Sequence, residues 1–402
     1  MDNENKTLRY VDLEDVDQHD KRVVRQYLFS NAIVANGAVI GSNTHSNGIW
    51  SPRIVACLIA NKFRKNPAEI VIAISSEGFP GSYIQQADTI FKILKEKYNI
   101  SDEYFHLLLG ASPVKHNFDL YKEYCDKFGW LPVKLHLSNM WESSGSFNLN
   151  LSLPEVENIV TEPIVKKKKV LCLNGVSRAH RLYVVGEFII RNLLSCAHYS
   201  FLNRSPIIQE METLRQVVEE NNMSSVKFDE IKTALISHAD KFPMLLNYPV
   251  SNPKHYVTPD DVPLYNETYF SLVNETLCFG KNKNPMDEVS MDCFFITEKT
   301  FRPIMAKHPF IIVGRPHILK HLRDIGYKTF SPFIDESYDD IEDDELRLQK
   351  IMDIVEHMCK KFSDLDWLEL QQNTLEARLH NHAKLLASSE LHVLTENQND
   401  FY

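Results

Sequence analysis

Residues 294–314 read FFITEKTFRPIMAKHPFIIVG. An apolar run closes on Thr297-Glu298-Lys299-Thr300. A Phe-Arg-Pro step follows, then Lys307-His308, then a second apolar run ending at Gly314. Two strand-length apolar runs around a helix-compatible segment are the pattern of parallel strands joined by a crossover helix. Proline is tolerated in the first turn of a helix but not deeper. Pro303 therefore predicts a helix that starts near Thr300, with Thr300 as its N-cap. Glu298 and Lys299 are left on the turn between that helix and a strand, CFFI at 293–296. In an open parallel sheet, ligands sit beyond such C-terminal strand ends.

The same grammar extends upstream. VLCLNGVS (170–177) reads as a strand and turn, and RAHRLYVVGEFIIRNLL (178–194) as a helix with Leu182, Val185, Phe188, Ile189 and Leu193 on its apolar side. AHYSFLN and ETYFSLVNET read as strands, with two helices between them at 207–222 and 228–242. Downstream come a helix in PHILKHLRDIG, a short strand in YKTF (327–330) and a helical tail over the last 70 residues. The first half repeats the pattern. AEIVIAIS is a buried strand, and YIQQADTIFKILKEKY a helix with Ile84, Ala87, Ile90, Phe91 and Leu94 on one face. EYFHLLLGA and LPVKLHL are further strands. Between the halves, 142–168 is polar, holds two prolines and runs into Lys166–Lys169, so it reads as a linker ending in a solvated strand edge. The fold class is α/β, with domains at 1–160 and 161–402 and a ligand cleft expected between them.

Composition narrows the function classes. The chain has 402 residues, 44% hydrophobic and 24% charged, the mixture of a globular protein large enough for two domains. A net charge of −10 is a poor fit to nonspecific nucleic-acid binding, which needs clustered Lys and Arg. The acidic start is neither a signal peptide nor an anchor, and no run of about 18 apolar residues occurs. The seven cysteines show no CxxC, so free thiols in a reducing cytoplasm are expected. The histidines show no HExxH spacing. DESYDDIEDDE (335–345) has DxD-like fragments, but its position before a long helix favours an acidic helix start over a metal site.

Three strand ends carry the candidate chemistry. Asn174 precedes Gly175 and the Arg178, His180, Arg181 group. Asn274 and Glu275 end the second strand, and Thr297, Glu298 and Lys299 end the third. Cations beside carboxylates suit a nucleotide sugar. A pyrophosphate takes forked hydrogen bonds from Arg, a point charge from Lys and amides from a helix N-terminus. A carboxylate such as Glu298 accepts from both hydroxyls of a ribose. Each feature also has a plain reading: an exposed turn pair for Glu298 and Lys299, a solvated helix face for Arg178 and Arg181, an idle strand-end carboxylate for Glu275.

YFSLVNET followed by FFITEKTFRPIM and HPFIIVG resembles the donor-binding segment of the α1,3/1,4-fucosyltransferase family (glycosyltransferase family 10), and LNGVSRAHRLYVV looks like its strand–Asn–Arg–helix segment. The resemblance covers about 168–335 and extends to uncharacterised family-10-like proteins of marine phages and bacteria. It implies a GT-B fold of two Rossmann-like halves with a helical tail, the donor in the second half. It implies inverting transfer from GDP-fucose without a bound metal or other cofactor, in a bacterial or virus-infected cell. By position it implies that Glu298 holds the ribose, Lys299 the phosphate, and Arg181 or Arg178 the pyrophosphate. Asn174, Asn274, Thr297 and Arg302 complete the donor-binding set, and Glu275 lies near the sugar. The general base comes from the first half, where Glu77 at the end of IVIAIS is the candidate. The acceptor is expected to be a glycan or other hydroxyl compound. A hydroxymethylated DNA base, a non-catalytic nucleotide-sugar-binding protein and a purely structural α/β protein stay as alternatives.

Overall fold

The computed structural model describes residues 33–36, 52–74, 81–111, 115–138, 156–175, 177–202, 206–221, 223–244, 246, 257–279, 294, 296–387 and 393–395. They form two compact α/β units, each built on parallel strands.

In unit 1 the chain runs β1 (Ile33–Asn36), α1 (Pro52–Lys65), β2 (Ile70–Ile74), α2 (Gly81–Tyr98), β3 (Phe105–Leu109), α3 (Lys115–Phe128) and β4 (Lys134–Ser138). The strands pair in sequence order and all in parallel. Every residue of β2 and β3 is buried, as expected of parallel strands covered on both faces. The apolar face of α2 is buried as its periodicity predicts, with Phe91 stacked on Phe105 at 5.0 Å.

Unit 2 runs β5 (Val170–Asn174), α4 (Ala179–Ile190), β6 (Ala197–Phe201), α5 (Ile207–Glu220), α6 (Ser225–Ile236), α7 (Val262–Glu267), β7 (Phe270–Asn274), α8 (Glu298–Met305), β8 (Phe310–Val313) and α9 (Ile318–Asp324). A tail follows: α10 (Asp344–Lys361), α11 (Asp364–Asn373) and α12 (Leu375–Ala387). The four strands are parallel in the order β6-β5-β7-β8. The chain leaves β5 toward β6 on one side and returns to β7 on the other. The strand order therefore reverses between β5 and β7, which opens a crevice at their C-terminal ends. α4 is buried along almost its whole length. It approaches α6 so closely that a Cβ on Gly186 would stand 2.6 Å from the Ile231 Cγ2.

A last strand, β9 (Val393–Thr395), pairs antiparallel with β4. This return explains why the division differs from a single cut at 160/161. Unit 1 comprises Met1–Met140, Asn284–Phe295 and Leu391–Tyr402, and unit 2 comprises Trp141–Lys283 and Ile296–Glu390. Within unit 1 the buried Asn117 amide exchanges two hydrogen bonds with the Phe294 backbone, at 3.0 and 3.2 Å. Residues 156–168, read as linker, belong to unit 2.

Several local readings change. Phe294 and Ile296 are not in a strand, while Cys293 and Phe295 lie outside the described residues, so β8 pairs directly with β7. YKTF is not a strand either. Its rings serve the core instead, Tyr327 against Phe301 and Phe330 edge-on to Phe310. Nor is the lysine run a simple solvated edge. Lys166 donates to Tyr265 O and is buried enough to lower its ammonium pKa to about 7, while Lys169 lies over Tyr269 and Trp367. Lys167, on the surface, pairs with Glu267. The acidic run does cap helices. Asp343 caps α10 through Leu346 N, and buried Asp339 accepts from Leu319 N and Lys320 N at the start of α9.

Candidate functional site

The N-terminus of α8 shows how the sheet positions polar groups. Thr297 is extended (φ −110°, ψ −179°) and its Oγ1 accepts from Lys299 N at 3.2 Å, so Thr297, not Thr300, is the N-cap. Pro303 consequently falls inside the helix. The cost is limited because α8 is only 8 residues long and ends soon after the proline. Glu275 fixes the earlier start. One carboxylate oxygen accepts from Thr297 N at 3.1 Å and Thr300 Oγ1 at 2.6 Å. The other accepts from Thr276 N at 3.1 Å and Thr297 Oγ1 at 2.7 Å. Glu275 is 1% exposed, and Thr297 and Thr300 are fully buried. A buried carboxylate satisfied by four donors is a strut joining the tip of β7 to α8.

Above this strut, Lys299 Nζ reaches Glu298 Oε1 at 2.8 Å and the hydroxyls of Thr276 and Thr297, each at 3.2 Å. Both side chains remain partly open to solvent, 25% for Lys299 and 17% for Glu298. The helix amides are already committed. Those of Lys299, Thr300 and Phe301 all bond to Thr297, so an anion here meets the lysine rather than a free helix terminus.

Across the crevice, α4 begins at Ala179 with Arg178 as N-cap, exposed and making no side-chain cap bond. Arg181 is 3% exposed and donates to Asn274 O at 3.3 Å, so it does not belong to a solvated face. His180 Nε2 donates to Glu275 O at 2.8 Å. Burial first, then Arg181 and Arg178, push the His180 pKa well below its usual value, so the ring is neutral. Together Arg181 and His180 bind α4 to the tip of β7.

The two strand-tip asparagines converge on one thiol. Asn174 Nδ2 lies 3.4 Å and Asn274 Nδ2 3.3 Å from Cys172 Sγ, and Asn174 also donates to Tyr199 Oη at 3.2 Å. Burial pushes the Cys172 thiol up to about 12, so it stays protonated. The Oδ1 atoms of both asparagines are buried without a hydrogen-bond partner among the described residues.

Asn174, Arg181, Asn274, Glu275, Thr297, Glu298 and Lys299 are therefore linked around the β5–β7 switch point. Arg302 is engaged elsewhere, its guanidinium 2.8 Å from Asp261. Glu77 lies outside the described residues. Sequence reasoning missed two arginines. Arg315 directly follows Gly314 at the end of β8. Arg347, 1% exposed, donates to Gly314 O at 3.0 Å and Cys278 O at 2.9 Å, which ties the loop after β7 to the end of β8. Position after a strand end could have flagged Arg315. Nothing local marks Arg347, which sits in an ordinary amphipathic helix. Among the described residues no His/Cys/Asp/Glu cluster has the arrangement of a metal site, and no helix is long and apolar enough to cross a membrane.

Compared with known proteins, the chain matches no family model, no curated protein and no solved structure.

Proposed function

We propose that the protein is an inverting glycosyltransferase of GT-B architecture that takes a sugar from a nucleotide diphosphate donor without a metal, with fucose from GDP-fucose as the first candidate. One observation carries the reading. Arg181, on the Asn274 carbonyl at the tip of β7, and Lys299, paired with Glu298 at the start of α8, come from two different helices beside the same topological switch point of a parallel sheet. In this reading Lys299 and the arginines at the start of α4 neutralise the leaving diphosphate, and Glu298 accepts from the ribose hydroxyls. The diphosphate lies at the α4 N-terminus, since α8 is capped from within. The acceptor is a hydroxyl compound such as a glycan, and an attacking hydroxyl needs a general base from unit 1.

The test is calorimetric titration of the protein and of Lys299→Ala with GDP, UDP and CDP, with and without EDTA. The proposal expects one diphosphate to bind, to ignore EDTA and to be lost in the variant. Binding that needs a divalent metal, or survives the substitution, overturns it.

The commitment of both Glu275 oxygens to protein donors favours a second reading, a nucleotide-sugar-binding protein without turnover. It expects the same diphosphate binding with no release of nucleotide from the sugar donor in any acceptor mixture.

A further inference from the structure

We infer that Asn117, in unit 1, is a positioning residue for the candidate donor site in unit 2: by gripping Phe294 it fixes the start of α8, and with it Lys299. The inference deepens the proposed function and rests on it only for what Lys299 binds. Asn117 lies in the first turn of α3 and is fully buried. Its Oδ1 accepts from Phe294 N at 3.0 Å, and its Nδ2 donates to Phe294 O at 3.2 Å. The side chain thus does for Phe294 what a neighbouring strand would do, exchanging both backbone bonds with one residue. Exposed His116 adds its ring, edge-on to Phe294 at 5.2 Å.

The connection from this grip to the site is very short. Phe294 belongs to unit 1, whereas Ile296 is fully buried in the core of unit 2. In sequence only Phe295 stands between them, and Thr297, the N-cap of α8, follows Ile296 directly. Three peptide steps let the Cα atoms of Phe294 and Thr297 separate by about 11 Å at most. A tether of that length has almost no slack. A shift at Phe294 is absorbed by the dihedrals around one residue or is passed on to Thr297.

Thr297 in turn sets the charge. Its Oγ1 accepts from Lys299 N and from Lys299 Nζ, each at 3.2 Å, and its carbonyl accepts from the amides of Thr300 and Phe301. Glu275 holds Thr297 from the tip of β7, through its amide at 3.1 Å and its hydroxyl at 2.7 Å. Asn117 holds the chain three residues upstream. Two grips on a short segment define where α8 begins, and the Lys299 ammonium is placed by that beginning.

Hydrogen exchange of the full-length protein, read by mass spectrometry without nucleotide, tests the link. In Asn117→Ala the amides of Lys299, Thr300 and Phe301 are expected to exchange about tenfold faster than in the wild type, with those of β5 unchanged. Inserting two glycines between Phe295 and Ile296 gives the tether slack. The same amides speed up there, and Asn117→Ala adds nothing in that background. Calorimetric titration with GDP, UDP and CDP then reads the site. The diphosphate that binds the wild type is expected to bind Asn117→Ala about tenfold more weakly. Unchanged exchange at the start of α8 overturns the inference, as does undiminished affinity, or an equal effect of Asn117→Ala with and without the inserted glycines. If Asn117→Ala does not fold, His116→Ala on the exposed surface replaces it. That variant is expected to speed the same amides about 2–3-fold, and no change there also overturns the inference. If no diphosphate binds the wild type, the donor reading fails, while the exchange rates still decide whether Asn117 positions α8.

Discussion

Replacing Glu275 with Gln separates two roles for this residue, a reacting-centre carboxylate and a strut. In the folded protein each carboxylate oxygen takes one backbone N–H and one threonine hydroxyl. An amide offers one oxygen and one NH2. In either orientation the NH2 faces a backbone N–H, from Thr276 or from Thr297, and two donors meet. Thr297 Oγ1 cannot relieve this freely, since it already accepts from Lys299 N and Nζ. One buried N–H is left unpaired, at about 1–3 kcal/mol, and charge-assisted bonds are lost besides. The expected cost is about 3 kcal/mol, or about 2–4 °C of melting temperature per kcal/mol for a unit of this size. Differential scanning calorimetry reads the shift in unit 2, and titration with the diphosphate that binds reads the site. The strut argument expects the melting temperature to fall by about 6–12 °C, with weaker binding because the start of α8 loosens. If Glu275→Gln melts within a degree or so of the wild type and loses only sugar transfer, Glu275 belongs to the reacting centre and the strut argument is refuted.

Lys299→Ala should weaken diphosphate binding about 10–100-fold, the worth of one charge-assisted hydrogen bond. The melting temperature should barely move, because the Lys299–Glu298 pair is partly exposed; an equal loss in both would mean that Lys299 is structural. Gly186→Ala should destabilise unit 2 by about 1–2 kcal/mol in denaturant unfolding. The forced displacement of Ile231 outweighs the roughly 1 kcal/mol that alanine gains in a helix, and a more stable variant would disprove the close α4–α6 approach. Acidification should destabilise unit 2 through His180 and His308, whose pKa values burial holds well below the ordinary one. For these depressed bases the unfolded chain takes up protons from about pH 6.5 downward while the folded one does not. Stability is therefore full above that pH and falls by about 2 kcal/mol per histidine by pH 5. The raised carboxyls of Glu336 and Asp339 offset part of this, and a melting temperature unchanged from pH 7 to pH 5 would contradict neutral buried rings.

What the sequence disclosed follows from the range of the forces involved. Val170–Asn174, Phe270–Asn274 and Phe310–Val313 are mostly apolar runs, and a strand buried on both faces writes itself locally in that form. The α2 face was legible from its helical period, whereas α4 is buried nearly all round, which that period did not show. The α8 start was misread because the rule applied to Pro303 is local, while the decision is made elsewhere. Glu275 precedes Thr297 and Thr300 by more than twenty positions, and its carboxylate fixes both. The β9 pairing that returns the chain end to unit 1 was likewise beyond a local reading, since three residues of strand carry almost no periodicity.

The same distinction bears on how the candidate site should be judged. Lys299 and Glu298 were conspicuous as neighbours in sequence, yet neighbours on a helix start are a common surface arrangement and carry little weight alone. What sets them apart is the support beneath them. The N-cap under Lys299 is held by a buried carboxylate, that carboxylate's backbone carbonyl is held by His180, and Arg181 on the same helix holds Asn274 O. Breaking any of these leaves a buried donor or acceptor unpaired, at about 1–3 kcal/mol each. These links at the sheet's switch point fix the positions of a few charges. Under the proposed function, charges fixed in this way would meet a ligand with a defined charge geometry, and a diphosphate has one.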